Sequence, residues 1–123
     1  MKSSATGWRH LVNSTRYSFM GLKAATLHEA AFRQELVLCA VFLPFAFWVG
    51  QTPVEWILLI SSCFLVLIVE LLNSAVETAI DRIGSEHHVL SGRAKDIGSA
   101  AVMLSLIMAG VTWGLLLWQR LAG

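Results

Sequence analysis

Charge is what this sequence has least of. Asp, Glu, Lys and Arg together make up 14% of 123 residues, whereas hydrophobic residues make up 56%. That balance excludes an ordinary soluble domain and a disordered chain, and it points to one small integral membrane domain spanning 1–123. Cysteine is nearly as scarce: Cys39 and Cys63 both lie inside apolar runs, which excludes a disulfide framework and any zinc spacing and reads as packed thiols. A net charge of +1 says nothing of an anionic partner, and no nucleic-acid partner is expected. The N-terminus is polar and strong apolar character begins only near Leu36. No cleavable signal peptide is read there, so the spans are expected to direct insertion. A Walker A loop, a protein-kinase glycine loop and a Ser/His/Asp spacing are all missing.

What is present is helical throughout. In residues 7–24 the side chains of Trp8, Leu11, Val12, Phe19 and Leu22 share one face, while Arg9, Arg16 and Lys23 recur along its flank. This pattern predicts an amphipathic surface helix lying at the membrane interface. Three transmembrane helices are expected to follow, at about 28–50, 54–83 and 95–119. The first begins with the polar residues His28, Glu29, Arg33, Gln34 and Glu35 and carries Pro44, which implies a mild kink. The second overshoots the ~30 Å hydrocarbon core. A polar loop is expected over 84–93.

Basic residues set the orientation. Lys2, Arg9, Arg16, Lys23 and Arg33 precede the first span, Arg82, Arg93 and Lys95 lie between the second and third, and only Arg120 is left for the other face. The positive-inside rule puts the N-terminus in the cytoplasm and the C-terminus outside. Trp48, Trp56 and Trp118 then mark the outer interface as belt anchors.

The overshoot of the second span bears Glu70, Asn73, Glu77 and Asp81. At about 100° per residue these fall within one narrow stripe. Equal helical rise from the outer turn puts Glu35 level with Glu70, and Glu29 level with Glu77 about a turn and a half nearer the cytoplasm. Two tiers of paired carboxylates are therefore expected. An ionised residue inside a span costs about 2.5–3.5 kcal/mol at the helix centre, so Arg33, Lys95, a divalent cation or bound protons must neutralise them.

Metal-assisted transfer at a membrane surface fits this set. Mg²⁺ takes hard oxygen ligands and suits Glu29 and Glu77, while Glu70, deeper and beside lipid, is placed to act as general base on a lipid hydroxyl. The run Ser91 to Ser99, with Gly92 and Gly98, reads as a helix opening near Lys95 whose free N–H groups favour phosphate. Two other readings use the same residues: a ring of interhelical salt bridges, and a proton or cation pathway in a non-enzymatic membrane subunit.

Four blocks carry a resemblance: Glu29-Ala30-Ala31-Phe32-Arg33-Gln34-Glu35, Glu70-Leu71-Leu72-Asn73-Ser74-Ala75-Val76-Glu77, Asp81-Arg82-Ile83-Gly84-Ser85-Glu86 and Ser91-Gly92-Arg93-Ala94-Lys95-Asp96-Ile97-Gly98-Ser99-Ala100-Ala101. In this order, and over nearly the whole chain, the sequence resembles the prokaryotic diacylglycerol kinase family. The resemblance implies a homotrimer in the bacterial inner membrane, with active sites shared between subunits and a periplasmic C-terminus. It also implies transfer of the γ-phosphoryl group of ATP to diacylglycerol with Mg²⁺. Glu70 would be the catalytic base with Asn73 orienting groups around it, and Glu29 and Glu77 the metal ligands. The nucleotide would be met by His10, Tyr17, Glu29, Glu77, Glu86, His87, His88, Lys95 and Asp96. The lipid would be met by Ser14, Thr15, Arg16, Ala31, Phe32, Arg33, Gln34, Glu35, Glu70 and Ser99. His10 and Asn13 stand where the family commonly carries basic residues. A branch of the family acts on undecaprenol, and the Ser91-Gly92-Arg93 run favours diacylglycerol over it.

Overall fold

The computed structural model describes residues 6–84 and 88–123. Four helices account for almost all of them: α1 (Gly7–His28), α2 (Ala30–Val49), α3 (Pro53–Ile83) and α4 (Val89–Ala122). Three of these, α2, α3 and α4, are long and apolar enough to cross a membrane. At 1.5 Å per residue, α3 is about 46 Å long and α4 about 51 Å, so both extend beyond a ~30 Å hydrocarbon core.

α1 runs to His28, past the expected end at residue 24, and only Glu29 separates it from α2. The break is a single extended residue, with φ −115° and ψ 106°. Its N–H still donates to the Ala25 carbonyl at 2.9 Å, and Arg33 Nη1 donates to the carbonyls of Thr26 and Leu27 at 3.0 and 3.1 Å. Arg33 thus caps the C-terminal end of α1, where carbonyls have no partner within the helix. The sequence-based expectation that Arg33 would neutralise the carboxylate tiers is not met.

The turn from α2 to α3 is closed by local chemistry. Thr52 accepts from the Glu55 N–H at 3.2 Å while its hydroxyl donates back to Glu55 Oε2 at 3.2 Å, with Pro53 starting the helix. Trp56 Nε1 donates to the Gly50 carbonyl at 2.8 Å, and its indole fills the space that a side chain at Gly50 would need. α2 runs through Pro44 without ending.

α3 is the centre of the bundle, packed most extensively on α4 and next on α2. Ala46, Val49 and Leu59 form the core at the turn end, with Ile60, Trp113 and Leu116 against them. Trp113 donates to Ser62 Oγ at 3.0 Å and meets Phe42 edge-on. Arg120 closes this end by donating to the Trp48 carbonyl at 2.9 Å and lying over its ring. Trp113 and Trp48 therefore have specific partners within the chain, Trp48 remaining half exposed, whereas Trp118 is largely exposed.

α4 begins at Val89, with His88 as its N-cap, and not at Lys95. Residues 89–93 of the expected 84–93 loop are helical. The Gly92 N–H already bonds the His88 carbonyl at 2.9 Å, so Lys95 lies more than a turn inside α4. The free N–H groups expected beside Lys95 are consumed within the helix, and the reading of a phosphate-binding helix start there is overturned.

Candidate active site

Glu70 sits on the α2-facing side of α3 at 4% exposure, and Glu35 of α2 at 7%. Their carboxyl groups face one another, as the equal-depth argument expects. Ser74, one turn on, donates to Glu70 Oε2 at 3.2 Å. Glu35 Oε2 is buried with no hydrogen-bond partner. Among the described residues no cation pairs with either carboxyl; the single ion pair joins Lys95 and Asp81. Ser74 was not among the residues expected at the site, although its i+4 spacing from Glu70 carries the signal.

The rest of the stripe turns toward α4. Asn73 is half-buried against Gly98, whose missing side chain leaves the space that Asn73 occupies. Its Oδ1 is a second buried oxygen with no partner. Further along, Lys95 Nζ bonds Asp81 Oδ1 at 2.8 Å, and Glu77 is near enough to add to the field on the ammonium. Asp81 thus occupies the lysine expected to meet nucleotide. Asp96 and Ser99 are exposed on α4.

Glu29 lies elsewhere. Half-buried at the α1–α2 break, it lines a groove of about 1010 Å³ with residues of α1 and with Ser74, Ala75, Thr78 and Arg82 of α3. Glu77 does not line that groove. At about 100° per residue, the groove face of α3 is centred roughly 130° around the helix from Glu77. The expected Glu29–Glu77 tier is therefore not assembled within this chain. No group of three or more His, Cys, Asp or Glu side chains suited to a metal occurs among the described residues. The donors are hard oxygens of the kind Mg²⁺ accepts, and Mg²⁺ is ordinarily held by one or two carboxylates completed by substrate phosphates.

On α1, His10, Thr15 and Arg16 are exposed, Ser14 and Tyr17 half-buried, and none of them lines the groove. Arg16 stacks its guanidinium 5.5 Å from the Tyr17 ring centre. On α2, Phe32 is buried while Ala31, Arg33 and Gln34 are exposed. His88 Nδ1 accepts from the Leu90 N–H at 3.0 Å, an N-cap role. Glu86 and His87 lie outside the described residues.

The sequence matches a family model described as prokaryotic diacylglycerol kinase over residues 16–117. It is 56% identical over 109 residues to a diacylglycerol kinase of Haemophilus influenzae, covering 89% of this chain and 92% of that protein. To the diacylglycerol kinase of Escherichia coli strain K12 it is 51% identical over 120 residues, 98% of each chain. To that of Pseudomonas aeruginosa it is 47% identical over 112 residues, 91% of each. With a family model matched over most of the chain and relatives this similar over nearly their full length, the chain belongs to the prokaryotic diacylglycerol kinase family.

Proposed function

We propose that this protein transfers the γ-phosphoryl group of ATP to diacylglycerol at the cytoplasmic face of a bacterial inner membrane, giving phosphatidic acid. The observation that carries the reading is the buried Glu70, held by Ser74, faced by Glu35 and paired with no cation among the described residues. A carboxylate so placed, at the end of the apolar part of α3, is a base for a hydroxyl delivered from the lipid side. Asn73, wedged against Gly98 one turn from Glu70, keeps an unused acceptor for the reacting groups.

The nucleotide approaches from the cytoplasmic ends of α3 and α4. Lys95 leaves Asp81 to meet the phosphates, with Asp96 beside it. His88 accepts through Nδ1, which leaves the proton on Nε2 as a donor to a phosphate oxygen. Glu86, His87, Tyr17 and His10 complete the nucleotide contacts, and the α1 and α2 residues from Ser14 to Arg16 and from Ala31 to Glu35, with Ser99, form the lipid side. Glu29 and Glu77, with the nucleotide, would hold Mg²⁺, which would supply positive charge against the phosphates. Phosphoryl transfer asks the protein chiefly for positioning and charge stabilisation, which this arrangement supplies.

Because Glu29 and Glu77 lie on different sides of α3, the two meet across a boundary between subunits of a homotrimer. The extensive uncovered apolar surface of α4 provides for such packing as well as for lipid. The exposed Trp8, Leu11, Val12 and Phe19 of α1 rest in the membrane interface as an amphipathic surface helix. The distribution of Lys and Arg keeps the N-terminus in the cytoplasm and the C-terminus in the periplasm.

The test is transfer of labelled phosphate from Mg-ATP into extracted lipid by the purified protein, with diacylglycerol and undecaprenol supplied in identical micelles. Label is expected in phosphatidic acid. Glu70→Gln should lose about 10²–10⁴-fold in turnover, the usual weight of general base catalysis, while staying helical and folded. Full turnover in that variant removes Glu70 as the base, and label in undecaprenyl phosphate alone reassigns the acceptor.

A further inference from the structure

One turn beyond Glu35, the α2–α3 interface holds the protein's only two cysteines. Cys39 and Cys63 are both free, each 7% exposed, and their thiols lie against one another. Cys39 Sγ donates to the Cys63 carbonyl at 3.6 Å. Both cysteines line a half-open apolar cavity of about 170 Å³ together with Leu38, Phe42, Val66, Trp113 and Glu35. A dry apolar cavity of about 150 Å³ is enough for a benzene-sized ligand. Nothing proposed for phosphoryl transfer uses either thiol; of the residues lining the cavity only Glu35 also belongs to the proposed site.

We propose that Cys39 and Cys63 form a dithiol site within the membrane for lipid-soluble thiophiles of the trivalent organoarsenical class, the aryl group entering the apolar cavity. Thiol sulfur is a soft ligand that favours soft acceptors. Two neighbouring thiols give a chelate ring that a single thiol cannot. The step balances without any oxidant: an arylarsenic(III) oxide condenses with the two S–H groups, two As–S bonds form, and the arsenic oxygen leaves with both thiol protons as one water. Arsenic stays trivalent and neither sulfur is oxidised. Buried, apolar thiols are poor nucleophiles toward charged reagents that need the thiolate. Condensation of a neutral arsenical with neutral thiols does not have that requirement, and the reagent arrives through the lipid.

The probe is phenylarsine oxide, added to the full chain in detergent micelles and in vesicles, and read by intact mass. One phenylarsenic per chain is expected, with loss of one water, resistant to excess 2-mercaptoethanol and removed by 1,2-ethanedithiol. Cys39→Ser and Cys63→Ser should each abolish the resistant adduct, with circular dichroism reporting that both variants stay folded. Iodoacetate should leave wild-type protein unmodified under the same conditions. The proposal is overturned by a missing adduct in wild type, by a resistant adduct in either variant, by a product of twice the chain mass, or by ready alkylation with iodoacetate. None of these readouts involves lipid phosphorylation, so a failed kinase assay and a failed arsenical assay are separate results.

Discussion

The separation of Glu29 from Glu77 makes a quantitative prediction. In one subunit Glu29 lines the α1 side of α3, while Glu77 lies beside Lys95, roughly 130° around the helix. If one site takes Glu29 from one subunit and Glu77 from its neighbour, two inactive variants should rescue each other. Glu29→Gln and Glu77→Gln would each be at background alone. Co-assembled at equal amounts in a closed ring, a site is intact when the first subunit keeps Glu29 and the next keeps Glu77. Each condition holds for half of the subunits, so about a quarter of wild-type activity should return, whatever the number of subunits in the ring. The reciprocal experiment mixes wild type with the double variant. There, shared sites again leave about a quarter of the activity, whereas sites contained in one subunit leave about half. Differently tagged subunits, denatured together and refolded, verify mixing by co-purification, and the coupled release of ADP reads activity. Background activity in the first mixture and half activity in the second, with mixing verified, would refute the shared metal site.

Three further outcomes follow from individual contacts. Asp81→Asn frees Lys95 from an exposed, solvent-screened pair whose hold on the ammonium amounts to no more than about fivefold in an equilibrium. Its stability should barely change and its KM for ATP should fall by up to about fivefold in initial-rate assays; a large loss of kcat would instead give Asp81 a direct part in the reaction. Gly98→Ala would put a methyl group where Asn73 stands. Asn73 must turn aside, so the variant should lose activity to the same extent as Asn73→Ala while its thermal midpoint moves little, and an active Gly98→Ala enzyme would take Asn73 out of the mechanism. Arg33→Ala removes both bonds to the end of α1. At about 1 kcal/mol for so exposed a cap, limited proteolysis near residues 24–29 should be about fivefold faster.

Apolar periodicity and run length were enough to read the number of helices, the membrane class and the turn at Gly50 to Pro53 from the sequence, because a membrane leaves few options for a chain of this composition. The helix ends were harder to read. Ser91, Gly92 and Arg93 look like loop residues by composition, yet His88 caps α4 ahead of them, and a cap one residue long has little compositional weight. The break at Glu29 has no proline or glycine to mark it, and it is held by Arg33 reaching back to carbonyls six and seven residues earlier. Depth counting brought Glu35 to Glu70 correctly because both helices leave the same tight turn. It failed for Glu29 and Glu77 because depth fixes level and not azimuth: Glu29 sits on a non-helical residue, where the 100° rule no longer applies.

That division of the stripe also answers where its charge is compensated. Near the Ile83 end of α3, Lys95 bonds Asp81 and lies in the field of Glu77, so the ion-pair reading of the stripe holds there, in a place where water already screens the cost. At the deep end the same reading fails. Glu35 and Glu70 are two acids facing each other with no cation from this subunit among the described residues, and one oxygen of Glu35 lacks even a hydrogen bond. Two carboxyl groups in contact offer each other no compensating charge, which leaves that end of the stripe open to a donor from a substrate. A structural salt-bridge ring has no use for such a pair, because it contributes no attraction. A base for a lipid hydroxyl, the role proposed above for Glu70, does have a use for a buried acid that no cation holds.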